Sequence, residues 1–300
     1  MAVVYSIPPA GAGSPPGACG GAFARFLGLC VLLAALLSLS ACATPQKEEE
    51  YIPKVGQAGK DVVWVPTPDE MVTLMLKTAG VHAGDLVYDL GAGDGKIAIA
   101  AASQFGARAV GIEYNPQLAE VARRNVKRAG LEEKIRIVTG DIFVEDFSRA
   151  TVVTLYLLPE LNLRLKPTLL AMKPGTRIVS HSFDMGTWEP DTEIKAGGSH
   201  GFYWIVPADV RGRWAVQLPG QSKSAVLDLG QNYQKLSGTL TVDGRAYPIE
   251  EARMAGAEMR FSCQCDGGQR ASFSLRVAGN GLSGQMRGPQ RSAAVQGQRL

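Results

Sequence analysis

Three carboxylates and three glycines in this 300-residue chain have types and spacing that could do chemistry. Asp89, Gly91, Gly93 and Gly95 stand in DLGAGDGK, Glu113 follows Gly93 by twenty residues, and Asp141 closes the run KIRIVTGD. Glycines in such a turn allow unusual dihedrals and let a ligand approach the backbone, and the helix start behind them offers free amides. A dinucleotide fingerprint would need glycine at position 96, where Lys96 stands, and Lys96 is followed by Ile97 rather than the hydroxyl residue of a phosphate loop. Glu113 is placed to accept both hydroxyls of a ribose. Asp141 can accept from an adenine amino group while Ile142 packs on the ring, and Asp89 suits an ammonium group. An adenosine carrying an amino acid, without phosphate, fits this set better than a dinucleotide.

The elements that must hold these residues alternate between strands and helices. Buried-strand runs are expected at Leu86–Leu90, in ARAVGIE, KIRIVTGD, ATVVTLYLL and GTRIVSHSF, with helices in WVPTPDEMVTLMLKTAG from Pro68, after the glycine turn, in PQLAEVARRNVKRAG and in PELNLRLKPTLLAM. Thr67, Pro68 and Glu70 have capping-box spacing, and Asn115 precedes Pro116 as a second cap. The pattern predicts a Rossmann-like, doubly wound α/β sheet with its ligand site beyond the carboxyl ends of the strands.

VYDLGAGDG, GIEYNP and GDIF, in that order, resemble the cofactor motifs of the class I, seven-strand S-adenosylmethionine (SAM) dependent methyltransferases, from about Val63 to Pro207. The resemblance implies cofactor contacts from Asp89, Gly91, Gly93, Glu113, Asp141 and Ile142. It also implies two last strands, near Thr192 to Ala196 and Gly201 to Pro207, the final one antiparallel. WVPTP and VVTLYLLPELN are similar to segments of the protein-lysine methyltransferases of the ATP-synthase c-subunit type and, more distantly, of the non-SET histone-lysine methyltransferase. By that likeness Trp64, Pro66, Tyr156 and Pro159 are candidates for an acceptor channel for a protein lysine, where an aromatic wall would favour an amine. Plain core packing is the other use of such residues. The chain lacks the acid-Pro-Pro-Tyr motif that resemblance would associate with base or amide methylation. Its +3 formal charge is scattered, so no nucleic-acid partner is expected. No side chain stands out as the base for a lysine acceptor; His181 reads as a core histidine.

From about Ala208 the alternation ends. Short runs separated by turns such as Asp243-Gly244 and Asp266-Gly267 predict a small antiparallel β-sheet or β-barrel domain over 208–300. Cys263 and Cys265 share a side of one strand and read as two buried thiols, since a C-x-C disulfide closes a short, strained ring; they have no company that would bind a metal.

At the other end, an apolar run from Phe26 to Leu39, about fourteen residues, is short for a bilayer span of about twenty. It reads as a signal peptide over residues 1–41. Leu39-Ser40-Ala41-Cys42 resembles the lipobox of bacterial lipoproteins, which implies a membrane anchor on acylated Cys42, and Ala43 resembles the outer-membrane sorting pattern. Residues 42–60 read as a flexible tether, and the methyltransferase domain as 61–207. Three readings follow: a working methyltransferase lipid-anchored in the cell envelope; an envelope lipoprotein binding an adenosine-like metabolite without catalysis; or a cytoplasmic enzyme with a misread start.

Overall fold

A computed structural model of the chain describes residues 51–57, 64–221, 224–265, 268–289 and 292–300. The signal peptide, Cys42 and most of the tether lie outside the described residues.

Strands β1 (Leu86–Leu90), β2 (Arg108–Glu113), β3 (Ile135–Thr139), β4 (Val152–Leu155), β5 (Arg177–His181), β6 (Thr192–Ala196) and β7 (Ser199–Ile205) form one sheet in the order β3-β2-β1-β4-β5-β7-β6. The first five are parallel, and β7 runs antiparallel to β5 and β6. Side-chain alternation sends Val87, Val152 and Val179 to one face and Val153 and Ile178 to the other. Helices α1 (Asp69–Thr78), α2 (Lys96–Phe105) and α3 (Pro116–Arg128) cover the first face through Met71, Met75, Ala98, Ala101, Ala119 and Ala122. Helix α4 (Pro159–Leu170) covers the second with Leu165 and Leu169. The order reverses direction between β1 and β4, which places the ligand crevice at the carboxyl end of β1.

The caps came out differently at the two predicted starts. The Asn115 side chain accepts from the amides of Gln117 and Leu118, as its spacing predicts. Thr67 caps nothing: α1 begins after Pro68 without a side-chain cap, because the Thr67 hydroxyl is hydrogen bonded to His181 at 3.3 Å.

The chain then forms a second, antiparallel domain: β8 (Gly212–Gln217), β9 (Ala225–Asn232), β10 (Lys235–Val242), β11 (Arg245–Pro248), β12 (Glu250–Ala255), β13 (Glu258–Cys265), β14 (Gln269–Ala278), β15 (Gly281–Arg287) and β16 (Ser292–Arg299). Pairing of β8 with both β9 and β16, and of β9 with β10, closes eight of these strands into an up-and-down barrel, with β11 added on β10. The expected domain is there, as a closed barrel and not an open sheet with one apolar face.

One reading is corrected. Cys263 and Cys265 form a disulfide, not two thiols. Neighbours two apart on a strand point to the same side, and their Cα atoms lie 5.6 Å apart, within the span a disulfide bridges. The ladder with β14 stays in register through both residues and ends with Cys265 opposite Gln269, so the bridge fits the strand without breaking its pairing.

Candidate active site

The carboxyl ends of β1 to β4 open into a cleft. Gly91, Gly93 and Gly95 take φ of 82°, 57° and 82°, the left-handed region that favours glycine. The turn is fastened from behind, since Gly91 and Ala92 both donate to the Ile112 carbonyl at 2.9 Å. In front it has no room for side chains: a Cβ on Gly91 would lie 2.9 Å from Leu157, and one on Gly93 would lie 2.7 Å from the indole nitrogen of Trp64.

All three acids reach this cleft. Asp89, buried at the end of β1, accepts from the Thr154 hydroxyl at 2.7 Å. Burial pushes its carboxyl up to about 7, against that hydrogen bond, with the charges of Asp94 and Glu113 adding to the rise. Glu113 accepts from the Gly93 amide on one oxygen and from the Asn115 amide on the other, both at 2.9 Å. Burial raises its carboxyl as well, opposed by those amides. Asp141 accepts from the Phe143 amide at 2.9 Å, and Ile142 lines the wall beside it. Each carboxylate oxygen accepts more than one hydrogen bond, so backbone anchoring leaves acceptor capacity for a ligand.

The cleft is built for hydroxyls, amines and cations. Lys96 lines it, but its ammonium is held by Asp69 at 2.9 Å and by the Thr67 carbonyl at 3.3 Å, which ties the start of α1 to the glycine turn. That engagement takes away the lysine a phosphate would need. The acceptor set of Asp89, Glu113 and Asp141 fits an amino acid joined to an adenosine.

Of the channel candidates, Trp64, Pro66 and Tyr156 line the cleft, whereas Pro159 is exposed on the first turn of α4 and does not. Tyr156 rests on His181 with ring centroids 4.0 Å apart. His181 is buried, and burial lowers its pKa, which keeps the ring neutral behind the cleft wall. Trp64 is clasped in turn: its amide donates to the Gln57 carbonyl at 3.0 Å, and its carbonyl accepts from Gly56 at 2.8 Å. Residues 51–57, from the stretch read as a tether, thus reach the site, and Gln57 lines it. Thr154, Phe143, Leu157 and Gln57 were given no role in the sequence; Phe143 stands inside GDIF, and Thr154 and Leu157 inside VVTLYLLPELN, but only folding brings them to the site.

The family model described as the ANTKMT methyltransferase domain matches residues 89–192. A protein-lysine N-methyltransferase of Saccharolobus islandicus is 46% identical over 136 residues, 45% of this chain and 84% of that protein. The chain belongs to the class I SAM-dependent methyltransferases; it is an enzyme, and SAM is its cofactor. Among narrower relatives, the ATP-synthase c-subunit lysine N-methyltransferase of Xenopus laevis is 33% identical over 129 residues, 43% of this chain, and the match spans 56% of that protein's length. A solved RNA methyltransferase from Salinibacter ruber, in complex with S-adenosyl-L-homocysteine, is 48% identical and covers 49% of this chain and 96% of that one at a TM-score of 0.48. A pocket kept without catalysis is not the reading these relatives favour.

Proposed function

We propose that the chain is a protein-lysine N-methyltransferase. The observation that carries the proposal is the match to 84% of a protein-lysine methyltransferase at 46% identity, a match that takes in nearly the whole of that enzyme. In this reading Glu113 accepts the ribose hydroxyls, Asp141 the adenine amino group and Asp89 the ammonium of the cofactor, while Gly91 and Gly93 admit it against the backbone and Ile142 packs on its ring. SAM supplies a methyl already activated on a sulfonium. The protein's task is to align an amine with that methyl and to keep water out. Trp64, Pro66 and Tyr156 form the wall along which the amine enters. The aromatic faces of Trp64 and Tyr156 attract a cation, and the apolar surroundings favour loss of its proton before transfer.

The test is incubation with methyl-labelled SAM and an extract of the host, using Glu113→Ala as the inactive control. Label recovered as methyl-lysine after protein digestion supports the reading. Label that enters RNA or a small molecule, with none in lysine, overturns it.

We infer further that the enzyme works in the cell envelope, held by a lipid on Cys42. The apolar run closed by Leu39-Ser40-Ala41-Cys42 supports this, as does the Cys263–Cys265 disulfide, since disulfides persist mainly in oxidising compartments. Mass spectrometry of the native protein should find Cys42 acylated at its N-terminus. A soluble protein that retains Met1 would overturn the assignment.

A further inference from the structure

The barrel is closed at one end and hollow at the other. At the end next to the methyltransferase sheet, Trp214 is fully buried, donates to the Val210 carbonyl at 2.9 Å and carries the Arg299 guanidinium 4.4 Å from its ring. Above it the interior is filled by Leu227, Leu240, Met259 and Leu275, up to Phe261 and Phe273, which stack at 4.5 Å. Among the described residues the filling stops beyond that pair. The next inward positions on β14 and β9 are small, Ala271 and Ala225, while Leu218, Val242, Tyr247, Cys265 and Met286 line a hollow that opens to solvent. Eight strands enclose an interior that side chains either fill or leave able to hold one small ligand; this barrel is filled at one end only.

We propose that this end of the barrel binds a slender amphipathic molecule, an acyl chain or similar apolar body with one acidic head. Phe273 forms the floor, and Val242, Ala271, Met286 and the Cys265 sulfur form walls that bring no charge to the interior. Burying a chain against such walls is favourable at about 25 cal/mol per Å² of apolar surface. The rim is polar: Gln221, Gln269 and Arg270 stand around the mouth. Arg270 bonds Glu251 at 2.6 Å and Ser262 at 2.9 Å, both through one terminal nitrogen. A guanidinium has five N–H donors, so the same side chain can serve a carboxylate or phosphate head. The site is separate from the methyl-transfer cleft and does not depend on what that cleft methylates.

The test is a fluorescence titration of the full chain with the polyene fatty acid cis-parinaric acid, followed by displacement with palmitate or with a phosphate-headed lysolipid. Saturable binding of one probe per chain, displaced by either competitor, is expected; which competitor is stronger identifies the head. Ala271→Trp fills the hollow from its wall, and Met286→Glu puts a negative charge in that wall. Each should weaken the probe at least tenfold while S-adenosylhomocysteine binding stays unchanged, which shows that the chain is folded. Arg270→Gln should weaken acids more than the corresponding alcohol. Unsaturable binding, or equal affinity in folded Ala271→Trp or Met286→Glu, overturns the proposal.

Discussion

The carboxyl of Asp89 stands near 7 because it is buried, and that has opposite consequences with and without ligand. If it receives the cofactor's ammonium, only its ionised form is a good partner. SAM affinity should then fall about tenfold per pH unit below 7 and level off above it; calorimetric titration between pH 5.5 and 8.5 checks this, and Asp89→Asn should flatten the profile. In the free protein the raised pKa means that the folded state holds the proton more tightly than the unfolded chain, whose value is 3.8. That contribution to stability is complete below the unfolded value and is lost as pH rises through about 7. Free enzyme should therefore lose melting temperature from this source between about pH 4 and 7 and level off above that, and Asp89→Asn should not. Glu113 acts differently, since it holds the Gly93 amide as well as facing the ligand. Removing it costs hydrogen bonds to a charged group, about 1.5–3 kcal/mol each, so Glu113→Ala should weaken S-adenosylhomocysteine by about a hundredfold or more. Gly93→Ala should cost about 1–2 kcal/mol of stability for its positive φ. It should also displace Trp64, visible as a shift in tryptophan emission, because the added Cβ would lie 2.7 Å from that indole. Unshifted emission would mean that Trp64 does not cover the turn.

At the level of elements, legibility followed the range of the interactions. The parallel strands, the glycine turn and the helix capped by Asn115 could be read because each rests on local chemistry: apolar runs, positive φ, a side chain reaching its own helix. Thr67 had the right spacing for a cap, and a histidine 114 residues away took its hydroxyl. Thr154 beneath Asp89, and Gln57 beside Trp64, are products of folding that no nearby residue announces. Strand β16 carries little local signal for another reason: SAAVQGQR has one buried side chain, Val295, and its worth lies in backbone pairing that joins β15 to β8. The disulfide was misread by weighing the strain of the ring over the closeness of same-side neighbours on a strand. Its stabilising effect should be small: a loop this short is worth about 1–2 kcal/mol by chain entropy. Reduction, or Cys263→Ala with Cys265→Ala, should lower the denaturation midpoint modestly and leave SAM binding intact. A collapse of the fold on reduction would show that the barrel depends on the bridge.

Over the molecule, the barrel is fastened to the catalytic sheet and does not hang from it, and residues 51–300 form one compact unit. Backbone pairs lock the crossing segment on both sides: Gly175 donates to Val206 at 2.8 Å, and Ala208 donates to Gly256 at 2.8 Å. Side chains repeat the connection, with Lys235 on Glu189 at 2.6 Å, Arg253 on Asp191 at 2.8 Å, and Tyr233 stacked on the buried Trp188 at 6.0 Å. Two domains joined in this way should unfold together, giving one calorimetric transition that S-adenosylhomocysteine raises as a whole, although it touches only one of them. Gly256 is where this coupling can be cut. Its φ is +60°, and a Cβ there would lie 2.9 Å from the Gly175 Cα, backbone against backbone, so no rotamer relieves the clash. Gly256→Leu should cost about 2–5 kcal/mol from the positive φ and the overpacking together. Because the loss falls on the junction, the single transition should split in two, with ligand moving only the one that belongs to the catalytic sheet. Two transitions already separate in the unmutated chain would mean that the contacts across the junction carry too little free energy to couple the domains.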